Sequence, residues 1–86
     1  MTPSPEAAPR LRFHVSLAPC PQAALRVLGL FAQRALLPER VLLERRPRGA
    51  RLTVDVDLTR DGGEALLHRL RSIPSVRTAR LHRAAA

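Results

Sequence analysis

The sequence predicts one small α+β domain whose elements follow the order strand, helix, strand, strand, helix, strand. Three observations support this fold class. Residues 11–17 and 52–58 alternate apolar with polar side chains, which is the period of strands with one buried face. Residues 21–37 and 64–72 instead have the apolar spacing of amphipathic helices. A chain of 86 residues also has room for only one modest core.

The predicted domain occupies residues 10–83. Residues 1–9 hold three of the eight prolines and little that is apolar, so they are predicted to form a disordered tail. Residues 84–86 are predicted to fray. The first strand ends before Pro19 and Pro21, because prolines do not sit in a central strand. Its buried side is predicted to hold Leu11, Phe13, Val15 and Leu17.

The first helix is predicted to begin at Pro21 and to end before Pro38. Proline suits the first helical position, where its missing N–H costs nothing. The residue before a proline disfavours the helical region, which limits the other end. The predicted buried stripe consists of apolar residues at helical spacing, with Leu25 beside it: Ala24, Leu28, Phe31, Ala32 and Ala35. The predicted opposite side holds Gln22, Arg26, Gly29 and Gln33.

Two further strands form a predicted hairpin. Residues 39–46 are the second strand, residues 47–50 have turn chemistry, and residues 51–58 are the third strand.

The second helix follows the break at residues 61–63 and is predicted to run to about Ser72. Its predicted inner stripe is Leu66, Leu67, Leu70 and Ile73. Residues 75–82 are the predicted last strand. The apolar positions Val76 and Ala79 are out of phase there, which indicates a bulge or an edge position.

Right-handed crossovers turn this order into the ferredoxin-like βαββαβ arrangement. It has a four-stranded antiparallel sheet with two helices on one face, and strands one and three lie in its centre. On the outer face, Arg12 and His14 are therefore predicted to lie near Asp55 and Asp57.

The charge of the chain favours a solvated positive surface over a nucleic-acid footprint. All 15 basic residues are arginines, they are scattered, and the net charge is +8. The RNA-recognition motif shares the predicted topology, but it needs aromatic rings on the central strands. Here Phe13 is predicted to face the core, while Asp55 and Asp57 occupy the outer face. An RNA-binding module is therefore the third and least favoured interpretation, and no nucleic-acid partner is expected.

The sequence contains no pattern for catalysis or metal binding. His14, His68 and His82 fall on three predicted elements, and the single cysteine, Cys20, has no base nearby. We therefore expect no enzymatic activity, no metal and no cofactor of its own. One cysteine suits a reducing cytoplasm, and no apolar stretch approaches the length of a membrane span. The predicted location is cytoplasmic, without a membrane partner.

A more specific signal lies in the first helix. Residues 26–34 read Arg-Val-Leu-Gly-Leu-Phe-Ala-Gln-Arg. This run resembles the first helix of the regulatory (small) subunit of acetohydroxyacid (acetolactate) synthase, which follows the first strand of an ACT domain. Residues 73–76, Ile-Pro-Ser-Val, match the usual approach to the last strand of that domain. The resemblance extends more faintly over residues 11–82 and fits the short, single-domain type.

The resemblance implies a function in branched-chain amino acid biosynthesis. Small subunits of this family bind the thiamine-diphosphate-dependent catalytic subunit, raise its activity and often confer feedback inhibition by valine. Thiamine diphosphate, magnesium and FAD would belong to that partner subunit alone. The family also implies a homodimer with a branched-chain amino acid bound between side-by-side domains. The exposed edge strand, residues 39–46, or the helices would form the dimer contact.

The implied effector positions lie around the first helix. They are Pro19, Cys20, Gln22, Ala23, Ala35 and Leu37. The free N–H groups of Gln22, Ala23 and Ala24 would suit a carboxylate. However, Pro19 and Leu37 replace asparagines of the family, and neither side chain has a hydrogen-bonding group. Gln22 and Ala35 replace glycines.

These departures predict weak or absent valine binding, which leaves a subunit-binding role. The alternative is a stand-alone ACT-like domain that senses another ligand or binds another protein.

Overall fold

The computed structural model describes residues 9–84, and its elements follow the predicted order. They are β1 (Arg10–Leu17), α1 (Ala23–Gln33), β2 (Arg40–Arg46), β3 (Gly49–Asp57), α2 (Arg60–Leu70) and β4 (Val76–Arg83). Residues 1–8 of the predicted tail, which spans residues 1–9, lie outside the described residues, as do residues 85–86 of the predicted frayed end. At the two ends of this range, Pro9 accepts a hydrogen bond from the Leu58 N–H, and the Ala84 N–H donates to the Arg10 carbonyl.

The four strands form one antiparallel sheet in the order β2-β3-β1-β4. The prediction that β1 and β3 are central is confirmed. Both helices pack on the same face, where their apolar residues join those of the strands in one core. The predicted ferredoxin-like βαββαβ fold is therefore confirmed. Within residues 9–84, neither helix has the length and hydropathy that a membrane span requires.

The core is aliphatic around one aromatic pair. Phe13 of β1 and Phe31 of α1 meet edge to face, with ring centroids 5.3 Å apart. Both rings are excluded from solvent. This geometry matches the preference of aromatic quadrupoles for perpendicular contact. The fully buried branched residues around the two rings are Leu11, Val15, Leu17, Val27, Leu52, Val54, Val56, Leu66 and Leu70.

The predicted buried stripe of α1 is partly wrong. Ala23, Val27 and Phe31 are the buried positions, and Ala24 and Leu28 are only partly covered. The predicted stripe members Ala32 and Ala35 are exposed, and so is Leu25, which the prediction places beside the stripe. Only Arg26, Gly29 and Gln33 interrupt the apolar residues of this helix, so the pattern leaves its rotation undetermined. Packing against β1 selects the face centred on Val27.

The C-terminus of α1 closes in a Schellman motif. The N–H of Ala35 donates to the Ala32 carbonyl and the N–H of Leu36 to the Phe31 carbonyl, both at 2.9 Å. This motif requires a left-handed residue at its centre, which is usually glycine. Ala35 takes that role with a φ of 57°.

We expect Ala35→Gly to stabilise the protein by about 1 kcal/mol, because glycine removes the steric cost of the left-handed conformation. Urea unfolding followed by circular dichroism measures this change. The matched control is Ala32→Gly, which lies inside the same helix and should lose about 0.5–1 kcal/mol. An Ala35→Gly variant that is less stable than the wild type contradicts the prediction.

The last strand is both bulged and at an edge of the sheet, as the phase change predicted. Ser16 of β1 faces Thr78, whereas the next residue, Leu17, faces Val76. Arg77 is therefore the extra residue of the bulge.

The surface of the sheet that faces away from the helices is here called the open face. Ion pairs connect neighbouring strands on this face. Arg12 donates two hydrogen bonds to Asp55, at 2.7 and 2.9 Å, which confirms the predicted contact. Asp57 instead pairs with Arg10 at 3.0 Å. His14 is opposite Thr53 of β3 and borders the same small surface pocket as Asp55. Asp55 is only 5% exposed, because it lies between Arg12 and Arg40 of the neighbouring strands. The hydrogen bonds from Arg12 lower the pKa of Asp55.

Candidate functional site

The loop that links β1 to α1 borders a cavity of about 390 Å³, here called the loop cavity. The other wall of the loop cavity is the β2–β3 hairpin. Antiparallel pairing places Leu17, at the end of β1, opposite Ala50, near the start of β3. The hairpin turn and the β1–α1 loop therefore meet at the same end of the sheet.

The structure brings only part of the predicted effector set to this cavity. Pro19 and Cys20 line it. Gln22 is the N-cap of α1, and its side-chain oxygen accepts a hydrogen bond from Arg26 at 3.1 Å instead of lining the cavity. Ala23 is 1% exposed and belongs to the core.

The remaining two predicted positions lie beyond the other end of α1. Ala35 is the left-handed residue that follows the C-cap of α1, and Leu37 is 90% exposed. An 11-residue helix separates them from the loop cavity by about 16 Å. Within one protomer, these two residues cannot share a small ligand with Pro19.

The start of α1 offers fewer free donors than the sequence predicted. The N–H of Ala23 donates to the Cys20 carbonyl at 3.0 Å, and the N–H of Cys20 donates to the Ala18 carbonyl at 2.7 Å. The expectation that Ala23 presents a free N–H is therefore wrong. The difference arises because the loop makes a tight turn, in which these N–H groups donate to carbonyl groups of the loop itself.

The chemistry of the loop cavity does not match a zwitterion. Its walls are more apolar than polar, and the charged groups among its described lining residues are Arg45 and Arg46 at the end of β2. Among the described residues that line it, none carries a carboxylate or an amide. An arginine can pair with the carboxylate of an amino acid, but the ammonium group gains no acidic partner here.

Sequence reasoning missed the hairpin side of this cavity, formed by Leu43, Arg45 and Arg46. The signal was present in the predicted topology. Because β1 and β3 are antiparallel neighbours, the turn that precedes β3 must lie beside the loop that follows β1.

A second polar cluster lies on the open face, where the structure joins two histidines that the sequence analysis kept apart. The Nε2 atoms of His14 and His82 are 2.8 Å apart, and the rings stack with centroids 4.9 Å apart. His14 Nδ1 is buried and has no hydrogen-bond partner among the described residues. Residues 9–84 contain no group of three or more side chains that could together hold a metal ion.

Burial lowers the pKa of His14, and the nearby charges of His82, Arg51 and Arg12 lower it further. The unfolded chain therefore binds a proton at His14 more readily than the folded protein does. The free energy of unfolding should fall as the pH drops below about 6.5, the ordinary pKa of histidine.

Chemical unfolding at a series of pH values from neutral to mildly acidic measures this dependence. His14→Gln should flatten the profile in this window. The control is His68→Gln, which changes an exposed histidine of α2 and should leave the slope in place. A slope unaffected by His14→Gln would assign the effect to other groups.

Comparisons with known proteins identify the class of fold. The chain is similar to the solution structure of the ACT domain from GTP pyrophosphokinase of Chlorobium tepidum, with a TM-score of 0.76, 10% identity and 88% of each chain covered. It is also similar to the C-terminal domain of the MgtC protein from Mycobacterium tuberculosis, with a TM-score of 0.74, 17% identity, and coverage of 95% of this chain and 94% of that one.

A third similar structure is the ligand-free regulatory subunit of aspartate kinase from Thermus thermophilus. Its TM-score is 0.62 at 16% identity, and the match covers 92% of this chain and 53% of that one. The chain therefore shares the fold of ACT domains, and identities this low speak for the fold alone. No protein-family model matches the sequence, and no curated protein matches it.

Proposed function

We propose that the protein is a non-catalytic ACT-domain small subunit, which associates in the cytoplasm with the thiamine-diphosphate-dependent catalytic subunit of acetohydroxyacid synthase and supports its activity. The observation that carries this proposal is the run at residues 26–34, which lies on α1 of a fold shared with ACT domains. Valine binding is weak or absent in this proposal.

The run contains residues that the core explains and one that it does not. Val27 and Phe31 are buried, so packing within the protomer accounts for them. Nothing lies within 4 Å of a Cβ built on Gly29, so the protomer itself does not require glycine there. Glycine in a helix costs about 0.5–1 kcal/mol relative to alanine. A close approach by another chain would explain why the helix has glycine at this position.

The loop cavity supports the second part of the proposal. Pro19 stands where the family places an amide, and the cavity wall formed by the described residues supplies no acidic group for an ammonium ion. Leu37 points its apolar side chain into solvent and is 90% exposed. A branched-chain amino acid would therefore lose most of its polar contacts relative to the family pattern.

The experiment combines association with activity. The catalytic subunit from the same organism is purified and assayed for acetolactate formation with and without this protein. We expect the two proteins to elute together and the rate to rise, with no inhibition by valine. Unchanged rates and separate elution would contradict the subunit role. Micromolar binding of valine, leucine or isoleucine by calorimetry would contradict only the loss of the effector site.

Self-association through β2 is part of the same proposal. This strand is an edge of the sheet, and its apolar residues Val41, Leu42 and Leu43 are 43%, 41% and 53% exposed. Unpaired strand edges with apolar side chains are sites where another chain can pair. The exposed Leu25 of α1 adds a further apolar side chain to the surface.

Sedimentation of the wild type should show a dimer, and Leu43→Glu should shift it toward the monomer. Thr78→Glu is the matched control, because it places the same charge on the opposite edge strand, β4. A monomeric wild type would leave the subunit role to a single copy and would contradict self-pairing through β2.

The second candidate is an ACT-like domain that serves a different enzyme. The observation that favours it is the set of similar structures, which includes parts of a GTP pyrophosphokinase and an aspartate kinase. Stable co-elution with an enzyme other than the thiamine-diphosphate synthase would support this candidate. An RNA-binding role remains disfavoured, because the chain has only two aromatic residues of the Phe, Tyr and Trp class and both are buried in the core.

A further inference from the structure

A second cavity, of about 520 Å³, lies on the open face at the end of the sheet that carries the β2–β3 turn. Four of its nine lining residues are arginines, and we call it the arginine cavity. Its arginines are Arg46, Arg48, Arg51 and Arg77. Its volume lies in the range typical of small-molecule sites, about 300–1,000 Å³.

Three structural features bring these arginines together. Arg51 of β3 points to the open face, because its neighbour Leu52 faces the core. Arg46 and Arg48 flank Pro47 at the hairpin turn. Arg77 is the extra residue of the β4 bulge, and a bulge redirects the side chain it carries.

The cations of the arginine cavity are only partly compensated, because Glu44, the residue opposite Arg51 in β2, is the one acidic neighbour that the pairing of the described strands gives them. Arg46 pairs with Glu44 at 3.4 Å, and both side chains are largely exposed. The ion pairs found within residues 9–84 include none of Arg48, Arg51 and Arg77. No acidic residue is among the described residues that line this cavity. Like charges held close together repel, so an anion in the cavity would relieve this repulsion.

The guanidinium groups favour phosphate chemistry. A planar guanidinium presents a rigid fork of donors that matches a phosphate through two parallel hydrogen bonds. The hydroxyl of Ser16 and the small residues Gly49 and Ala50 complete the lining. Two adjacent phosphate groups offer more acceptor oxygens to four such forks than one phosphate group does.

We propose that the arginine cavity binds a small anion with two adjacent phosphate groups. The ligand is compact instead of a nucleic-acid strand, because both rings of the Phe, Tyr and Trp class are buried in the core. The open face therefore offers no such ring on which bases could stack. The arginine cavity borders the loop cavity and shares with it Leu17, Arg46, Pro47, Gly49 and Ala50. Arg48, Arg51 and Arg77 line the arginine cavity but not the loop cavity, and the proposal does not depend on the identity of the partner enzyme.

Calorimetry with inorganic pyrophosphate tests the proposal on the full chain. We expect saturable binding that weakens with added salt, and at least roughly tenfold weaker binding of inorganic phosphate. Arg51→Gln and Arg77→Gln should each reduce the affinity for pyrophosphate by roughly tenfold or more. Arg51→Lys keeps the charge without the fork, so its affinity for pyrophosphate should lie between those of Arg51→Gln and the wild type.

The matched control is Arg34→Gln, which removes one positive charge at the C-cap of α1, outside the cavity. It should change the affinity less than about twofold if local geometry decides binding. Far-UV circular dichroism checks that each variant folds, and Arg48→Gln in the turn replaces any that does not.

Three results would overturn the proposal. The first is the absence of pyrophosphate binding. The second is an equal loss in Arg34→Gln, or equal binding of citrate, because either would reduce the effect to net charge. The third is tighter binding of an RNA oligonucleotide than of pyrophosphate, which would make the cavity part of an extended nucleic-acid surface.

Discussion

Phe31→Ala is expected to lower the free energy of unfolding by about 3–5 kcal/mol, as large-to-small changes at fully buried aromatic positions do. The ring is 1% exposed and meets Phe13 edge to face in the centre of the core. Alanine removes this contact and leaves a cavity between α1 and β1. Small domains are stable by only about 5–10 kcal/mol, so the variant should be partly unfolded near body temperature.

Thermal and urea unfolding of the purified variant measure the loss. Leu25→Ala is the matched control on the same helix, because Leu25 is 69% exposed and should change stability by less than about 0.5 kcal/mol. Phe31→Leu should fall between the two. If Phe31→Ala and Leu25→Ala lose the same stability, α1 does not pack through the face centred on Val27.

Gly49→Ala should be nearly as harmful, at about 2–4 kcal/mol, because two independent costs add at this residue. Gly49 has a φ of 154°, which side chains with a Cβ rarely adopt. A Cβ at this position would also collide with the backbone carbonyl oxygen of Leu17. Backbone cannot move aside as a flexible side chain can, so β1 and the start of β3 must separate.

Gly29→Ala is the control for this variant, since open space surrounds the added methyl group within the protomer. It should raise the stability of the isolated chain by about 0.5–1 kcal/mol. Unfolding midpoints and far-UV spectra distinguish the two variants. Equal stability of Gly49→Ala and wild type would show that the hairpin turn adopts another conformation. Both cavities border Gly49, so this variant should also weaken the binding of any ligand in either cavity.

The fold was predictable because alternation in β1 and β3 marks two central strands without ambiguity. Phe13 and Val54 each sit between polar neighbours, and a strand with that pattern has only one way to face a core. The rotation of α1 was not predictable in the same way. Its apolar residues surround most of the helix, and only the shape of the sheet decides that Val27 is buried while Leu25 is exposed.

The candidate sites depend on contacts between elements that are distant in sequence. His14 and His82 come together because β1 and β4 pair in one specific register. The β4 bulge places Arg77 at the cavity that Arg51 also lines. A scattered set of arginines in sequence therefore becomes a concentrated set in space, although each arginine alone is typical of a solvated surface.

The two borders of the sheet differ in a way that limits how far chains can assemble. The middle of the β2 border is apolar at Val41, Leu42 and Leu43, although Arg40 and Arg45 flank it, whereas β4 exposes Arg77, Arg80 and Arg83 along its length. Charged residues on a border strand discourage pairing with another chain. If chains pair through β2 alone, two of them form a symmetric dimer, and no edge of the same kind is left for a third chain. The arginines of β4 would oppose the pairing at the other edge that a fibre requires.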